Sequence, residues 1–181
     1  MKLPGTPFAK AAVACSPLGS LTALALVLVT VQAWADCPQE LAVYAEEQAS
    51  GEIAFLGPMR PEDGMEHRFK MTFPENGVAL DGVVMRAGEP ERPWVIVMHN
   101  CPEGDATGAE IDACTVWQGP AYTVDTTGNV QYLQPSGSDH AAGSTLLLPD
   151  FSAAMRQSSA WGAKGLSVAP LDGFRLRGCQ E

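Results

Sequence analysis

The chain has 181 residues, 46% of them hydrophobic and 18% charged, and its 21 acidic and 11 basic residues give a formal net charge of −10. This length suits one ordinary domain behind a short leader. The negative charge and the lack of a basic cluster argue against a nucleic-acid-binding protein, because a phosphate backbone would be repelled. The same repulsion argues against attachment to anionic membrane surfaces.

The N-terminal 35 residues have the three-part layout of a cleavable secretory signal. Lys2 and Lys10 form a basic leader, residues 21–31 are apolar, and small residues follow. An apolar run this short does not span a bilayer as a helix, which takes about 20 residues. We expect cleavage before Asp36, with no stable membrane insertion afterwards. Residues 36–181 would then be a single mature domain of charge −12, in the periplasm or outside the cell.

The cysteines predict how such a domain is stabilised. Cys15 would leave with the leader, and an even number in an exported domain predicts disulfide bonds. Proximity along the chain favours a bond between Cys101 and Cys114, and the remaining bond would join Cys37 to Cys179 near the two ends. In the chain-entropy model these loops stabilise a fold by about 3 and about 5 kcal/mol.

The N-terminal half predicts one helix and one hairpin. Asp36 to about Ser50 reads as a helix with a proline in its first turn, and residues 51–64 read as a connector broken by glycine and proline. Residues 65–73 alternate apolar and polar side chains, which is typical of a strand. Turn residues at 74–77 then lead into a partner strand over 78–88.

The C-terminal half predicts short elements. Residues 93–99 form a continuous apolar strand, as if covered on both faces, and residues 121–133 form a hairpin after the cysteine loop. Residues 134–144 are small and polar, as in a flexible loop. The segment 149–157 predicts a short helix with Asp150 as its N-cap and Phe151, Ala154 and Met155 facing inward. Two short strands, at 166–170 and 174–179, close the chain.

Hairpins that follow one another without crossover helices favour antiparallel pairing. We therefore expect an α+β fold, mainly an antiparallel β-sheet or small barrel. It would have an N-terminal helix and a short C-terminal helix, and it would be stapled by two disulfides.

The stretch VMHNCPEGD, residues 97–105, allows three interpretations. His99 and Cys101 could form a thiol enzyme's reactive pair, or they could join Cys114 and His67 in a zinc site. The third interpretation is that Cys101 is half of a structural disulfide. We favour the disulfide because Cys114 is close in a compartment that oxidises thiols, and because the closely spaced cysteine pairs of zinc knuckles are lacking.

The loop between these two cysteines is acidic and is a weak candidate for a calcium site. Flexible segments rich in carboxylates can bind a hard cation. The spacing matches no EF-hand, however, and a solvated acidic loop needs no ion, so we expect no metal or other cofactor. The candidate ligands are Glu103, Asp105, Glu110 and Asp112.

Two classes of function remain open. The first, which we favour, is a non-catalytic exported domain that binds a small ligand or a protein partner at the face formed by the 101–114 loop. The alternative is a hydrolase-like enzyme that uses His99 with a nearby carboxylate such as Asp105. Three tryptophans of the mature chain would either line a ligand groove or pack in the core; they are Trp94, Trp117 and Trp161.

Overall fold

A computed structural model describes residues 37–60, 64–137 and 140–180, and the predicted signal segment lies outside them. The regular structure of the described part is mainly β-strand, with two short α-helices and one 3-10 turn. The strands are β1 Ala42–Ala45, β2 Glu52–Phe55, β3 His67–Phe73, β4 Val78–Ala87, β5 Arg92–Met98, β6 Thr115–Pro120, β7 Tyr122–Val124, β8 Val130–Tyr132, β9 Thr145–Leu147 and β10 Gly173–Cys179. The helices are α1 Gly108–Cys114 and α2 Phe151–Met155, and the 3-10 turn is Gln39–Leu41.

These strands form one sheet in the order β6-β5-β4-β3-β2-β1-β10-β9-β7-β8, and neighbours in it are antiparallel. Only Ala121 separates β6 from β7, and its amide donates to the Pro93 carbonyl while its carbonyl accepts from the Leu133 amide. The nearly continuous strand 115–124 therefore pairs with β5 along its first part and with β9 along its second. The sheet curls into a nearly closed barrel, which confirms the predicted antiparallel architecture.

The interior of the barrel is filled by alternate residues of its strands. On β3, Phe69, Met71 and Phe73 are buried while Arg68 and Lys70 point outward, as the alternation predicts. Burying a side chain of phenylalanine size stabilises a fold by about 1.5–3 kcal/mol. Gly82, opposite Phe69 on β4, leaves room for that ring: a Cβ there would lie 2.1 Å from ring carbons.

The predicted N-terminal helix is wrong. Within the described residues the chain makes only the 3-10 turn Gln39–Leu41 before it extends into β1 and reverses into β2. Tyr44 becomes a buried residue of β1 rather than part of a helical face. This segment has so few apolar positions that their spacing fits a short strand as well as a helix. Backbone pairing with β2 and β10 makes it a strand.

A buried carboxylate stabilises the turn where that helix was expected. Glu46 is only 4% exposed. Its oxygens accept hydrogen bonds from the amides of Gln48 at 2.8 Å, Ala49 at 3.0 Å and Gly51 at 2.9 Å, and from Leu171 at 3.3 Å. The side chain thus satisfies a reversing backbone and ties the β1–β2 turn to the segment before β10.

Other elements differ from the prediction because their pairing is non-local. The predicted connector 51–64 contains β2, and β6, β9 and α1 were not foreseen. Residues 166–170 form no strand, and their only sheet-like contact is the isolated bridge from Leu166 to Trp161. The strand 93–99 is buried on one face and only half-buried on the other.

The predicted short C-terminal helix is confirmed as α2, with Phe151 and Met155 buried. Its cap is different from the expected one. The Asp150 side chain makes no cap hydrogen bond, and the Asp172 carboxylate instead accepts from the amides of Asp150 at 3.0 Å and Ser152 at 2.7 Å. α2 lies beside β6, where the Trp117 indole donates to the Pro149 carbonyl at 3.1 Å.

Both predicted disulfides are confirmed. Cys37 is bonded to Cys179 with 5.6 Å between their Cα atoms, and Cys101 is bonded to Cys114 with 5.2 Å. The first bond links the chain before β1 to the end of β10, and the second closes the loop between β5 and β6. Neither α-helix of the described part has the length and hydrophobicity needed to cross a bilayer.

A buried histidine lies at the start of β3. His67 is 1% exposed, its Nε2 donates to the Gln134 carbonyl at 2.7 Å, and its ring meets Phe55 edge-on at 5.3 Å between centroids. Its Nδ1 is buried and has no partner within the described residues. Burial lowers the pKa of His67 below its usual 6.5, although the bond to Gln134 and nearby carboxylates oppose that shift.

The Glu46 carboxylate gives the first testable prediction. Replacing a buried carboxylate that accepts several amide hydrogen bonds leaves those donors unsatisfied. We expect Glu46→Ala to lower the free energy of unfolding by about 3 kcal/mol in a urea titration. The exposed neighbour provides the control, and Glu47→Ala should change stability by less than about 0.5 kcal/mol. Equal effects would contradict the role given to Glu46.

The buried imidazole predicts the pH dependence of stability. Because the folded pKa lies below the unfolded value, stability is complete above about pH 6.5 and falls as the pH drops toward the lowered pKa. Below the folded pKa the loss levels off. We expect His67→Leu to flatten this fall in unfolding titrations from pH 8 to pH 4, whereas substitution of the exposed His140 should not. A profile unchanged by His67→Leu would contradict the prediction.

Candidate functional site

The loop between β5 and β6 is held at both ends and across its middle. The His99 amide, just after β5, donates to the Cys114 carbonyl at the end of α1, at 2.9 Å. The Cys101–Cys114 bond reinforces the same connection. Asn100 adopts a left-handed backbone with φ 54°, a conformation that asparagine tolerates better than most residues. The chain therefore turns sharply at the point where the His99 side chain emerges.

The middle of the loop is fixed by the cap of α1. The Thr107 hydroxyl accepts from the Glu110 amide, while the Glu110 carboxylate accepts from the Thr107 amide at 2.8 Å, which makes a reciprocal capping box. The Thr115 hydroxyl donates to the Ile111 carbonyl at 2.8 Å at the other end of the helix. A loop of this kind keeps its shape without a ligand.

An open depression of about 390 Å³ lies beside this loop. Its polar side is formed by His99, Asn100, Glu110 and Ser159, and its apolar side by Pro102, Ala113 and Cys114. Ser159 comes from the segment that follows α2, so two parts of the chain distant in sequence meet here.

The imidazole at the centre of the depression has a partner on each nitrogen. The Asn100 side-chain amide donates to His99 Nε2 at 3.1 Å. The tautomer that fits this amide orientation has its proton on His99 Nδ1, which lies 3.3 Å from the Ser159 oxygen and donates to it. In this arrangement the ring does not take the serine proton, so Ser159 presents an ordinary hydroxyl group rather than an activated nucleophile.

The candidate carboxylates do not converge. Glu110 lines the depression, and the hydrogen bonds from the Thr107 backbone and side chain lower its pKa, so it is an anion at neutral pH. Asp105, predicted as a partner of His99, is exposed and makes no hydrogen bond to it. Glu103 and Asp112 are exposed too, and no three metal-ligating side chains of the described residues gather into a cation site.

The two interpretations that need a free thiol do not fit this geometry. The sulfurs of Cys101 and Cys114 are bonded to each other, so neither is a thiolate nucleophile or a zinc ligand here. His67, the other proposed zinc ligand, is buried at the start of β3 and hydrogen-bonded to Gln134. The cysteine of the VMHNCPEGD stretch therefore stabilises the loop through its disulfide, and the histidine does so through the hydrogen bond of its backbone amide to Cys114.

Sequence reasoning missed Ser159 and Asn100. The Asn100 side chain is adjacent to His99, but nothing in a linear pattern shows that this residue adopts a left-handed turn. Ser159 lies 60 residues further on, and only the packing of the segment after α2 brings it to His99. No local signal could have found that contact.

The tryptophans divide between the two roles considered for them. Trp117 is 6% exposed and packs edge-on against Phe151, with 5.7 Å between ring centroids, so it belongs to the core. Trp94 is half-buried and, with Tyr122, lines a second and larger open depression of about 680 Å³ between β6 and α2. Trp161 is partly buried and packs against the core.

The disulfide in the loop gives a stability prediction. We expect Cys101→Ala with Cys114→Ala to lower the free energy of unfolding by about 3 kcal/mol, because the open chain gains entropy. Cys37→Ala with Cys179→Ala, which opens a much longer loop, should cost more, about 5 kcal/mol. Chemical denaturation measures both. A smaller loss for the longer loop would contradict the entropic account.

Comparison with protein-family models, with curated proteins and with solved structures gave no match at the level of significance required. The function of this chain is therefore inferred from its own residues: a barrel with two disulfides, and a depression beside a rigid loop.

Proposed function

We propose that this chain is an exported binding domain that takes a small polar ligand, or a polar side chain of a protein partner, at the His99 depression without catalysing a reaction. The observation that carries the proposal is the combination of a rigid loop with converging hydrogen-bonding groups. The side chains of Asn100 and Ser159 each lie within hydrogen-bonding distance of the His99 ring.

Rigidity supports binding because less conformational freedom is lost when a ligand arrives. The loop is closed by a disulfide, capped at Thr107 and joined through the His99 amide to the Cys114 carbonyl. A volume of about 390 Å³ lies within the range of small-molecule sites. Pro102 and Ala113 contribute apolar surface against which the non-polar part of such a ligand would pack.

The charge of the depression favours a neutral or cationic ligand. Glu110 is held as an anion at its edge, and the whole chain carries a net charge of −10. The Asn100 amide and the Ser159 hydroxyl can both donate and accept hydrogen bonds. Amide, hydroxyl and ammonium groups are therefore the ligand chemistries that suit the site, and free anions do not.

Export is supported by two features. The N-terminal segment has the layout of a secretory signal. Two disulfides in the folded domain are compatible with an oxidising compartment, the periplasm or the cell exterior. The acidic net charge would help to keep such a domain soluble.

A serine hydrolase is the second candidate, and one distance favours it. Ser159 Oγ lies 3.3 Å from His99 Nδ1. If the Asn100 side chain turned so that its oxygen accepted a hydrogen bond from Nε2–H, Nδ1 would be free to accept the serine proton. That arrangement would place a nucleophile, a base and an orienting group in sequence.

Fragment binding tests the proposed site. We expect a library of small amides, polyols and amines to contain ligands detected by saturation-transfer NMR at millimolar concentration. Ala113→Trp, which fills the depression, should weaken them at least about tenfold. Ala109→Trp is the matched control, because Ala109 is exposed on α1 and does not line the depression. Absence of fragment binding, or equal binding by both variants, would contradict the proposal.

Two further measurements on the unmodified protein distinguish binding from hydrolysis. Nitrogen-15 spectra of the His99 ring should show the proton on Nδ1, and a fluorophosphonate probe should leave Ser159 unlabelled. A proton on Nε2, together with labelling that is lost in both Ser159→Ala and His99→Ala, would make the hydrolase the better assignment.

A further inference from the structure

The outer face of β3, β2, β1 and β10 carries positive charge on an otherwise acidic chain. Arg68 and Lys70 point outward from β3, and Arg175 and Arg177 point outward from β10. The full chain has only 11 basic residues against 21 acidic ones. Four of them lie on β3 and β10, the two outer strands of this group of four, against one outward acid, Glu52 on β2. This wall of the barrel therefore has a local charge opposite to that of the whole chain.

The pairing register places these four side chains in two rows. Lys70 is opposite Ala54, Ala54 is opposite Val43, and Val43 meets β10 next to Arg177. With neighbouring strands about 4.8 Å apart, the two basic rows lie about 14 Å from each other. The strands between them present the small, half-buried side chains of Val43, Ala45 and Ala54. The result is a shallow trough with a small-residue floor and basic walls.

The four basic side chains make few ion pairs within the described residues. Lys70 makes an exposed ion pair with Asp81 at 3.5 Å, a contact worth little in water. Arg68, Arg175 and Arg177 make no ion pair with the described residues. Arg175 and Arg177 also line an open depression of about 510 Å³ at one end of this face, where three acidic side chains share the lining: Glu46, Glu47 and Glu52.

We propose that this trough binds an extended acidic segment of a partner protein. In an extended chain alternate side chains are about 6.7 Å apart, which is also the spacing of Arg68 from Lys70 on the regular strand β3. Arg177 lies at a bulge, where the β1–β10 register shifts between Leu176 and Gly178, so it is not bound to that spacing from Arg175. Carboxylates on alternate residues can therefore meet Arg68 and Lys70 on one side of the trough, and the planar guanidinium groups on the other side also suit a carboxylate. The site is separate from the His99 depression, so the inference does not depend on the function proposed there.

Two features of the trough restrict which acidic segment can bind there. Glu52 lies across Ala45 from Arg175 and would repel a dense polyanion such as polyphosphate at that end. Leu56 is 50% exposed and is joined to Arg68 by a backbone hydrogen bond at the other end. The matching segment therefore has spaced carboxylates and an apolar residue near one end.

The test uses a fluorescent peptide of alternating glutamate and threonine, with the corresponding glutamine peptide as control. By fluorescence anisotropy, the mature protein should bind the glutamate peptide, and the affinity should fall steeply from about 0.05 M to about 0.5 M salt. The glutamine peptide should not bind. Arg175→Gln with Arg177→Gln should weaken binding at least about tenfold.

The matched control is Arg156→Gln with Lys164→Gln, which removes the same charge from exposed positions on and after the C-terminal end of α2. This variant should weaken binding less than about twofold. Equal losses in the two variants would mean that only net charge matters, and would overturn the site. Three results would overturn the proposed partner. The first is absence of binding, and the second is equal competition by polyphosphate. The third is a dimer in sedimentation that the Arg175→Gln with Arg177→Gln variant does not form, because a second copy of this chain would then occupy the trough.

Discussion

The strand from Thr115 to Val124 is the element on which the rest of the structure depends. It pairs with β5 through its first part and with β9 through its second, so the first and last regions of the sheet order share one piece of backbone. Ala121 is the junction, since its amide and carbonyl bond to Pro93 and Leu133. Without this shared strand β5 and β9 would each present an open edge, which natural proteins usually protect.

The closure also places the functional surfaces. Because the cysteine loop leads directly into β6, its disulfide and its helix are anchored to the strand that closes the barrel. α2 lies beside β6, where the Trp117 indole donates to the Pro149 carbonyl, and the segment after α2 brings Ser159 to His99. The basic trough lies elsewhere, on the strands around β1. One curled sheet thus separates a rigid acidic loop from a positively charged wall.

Much of this fold was predictable from local patterns, and the exceptions have physical reasons. The alternation in β3 requires only that one face be buried, and the disulfide pairing follows from the positions of the cysteines. The segment at 36–50 differs from the prediction because a few apolar residues fit a helix and a strand equally well. Pairing with β2 and β10 decides for the strand, and Glu46 holds the turn that follows through the amides of Gly51 and Leu171. Asp150 has the sequence position of a cap, yet Asp172 from a distant segment takes that role.

The candidate site was predictable only in part for the same reason. His99 and the acidic loop are visible in the sequence, whereas the contact with Ser159 exists only in the folded chain. The most direct measurement is amide hydrogen exchange followed by NMR on the oxidised mature protein. If strand 115–124 closes the barrel, the amides of Gly119, Ala121 and Tyr122 should be among the slowest to exchange, with protection close to that of global unfolding. Exchange of these amides within minutes, while β3 and β4 stay protected, would show an open sheet and contradict the account.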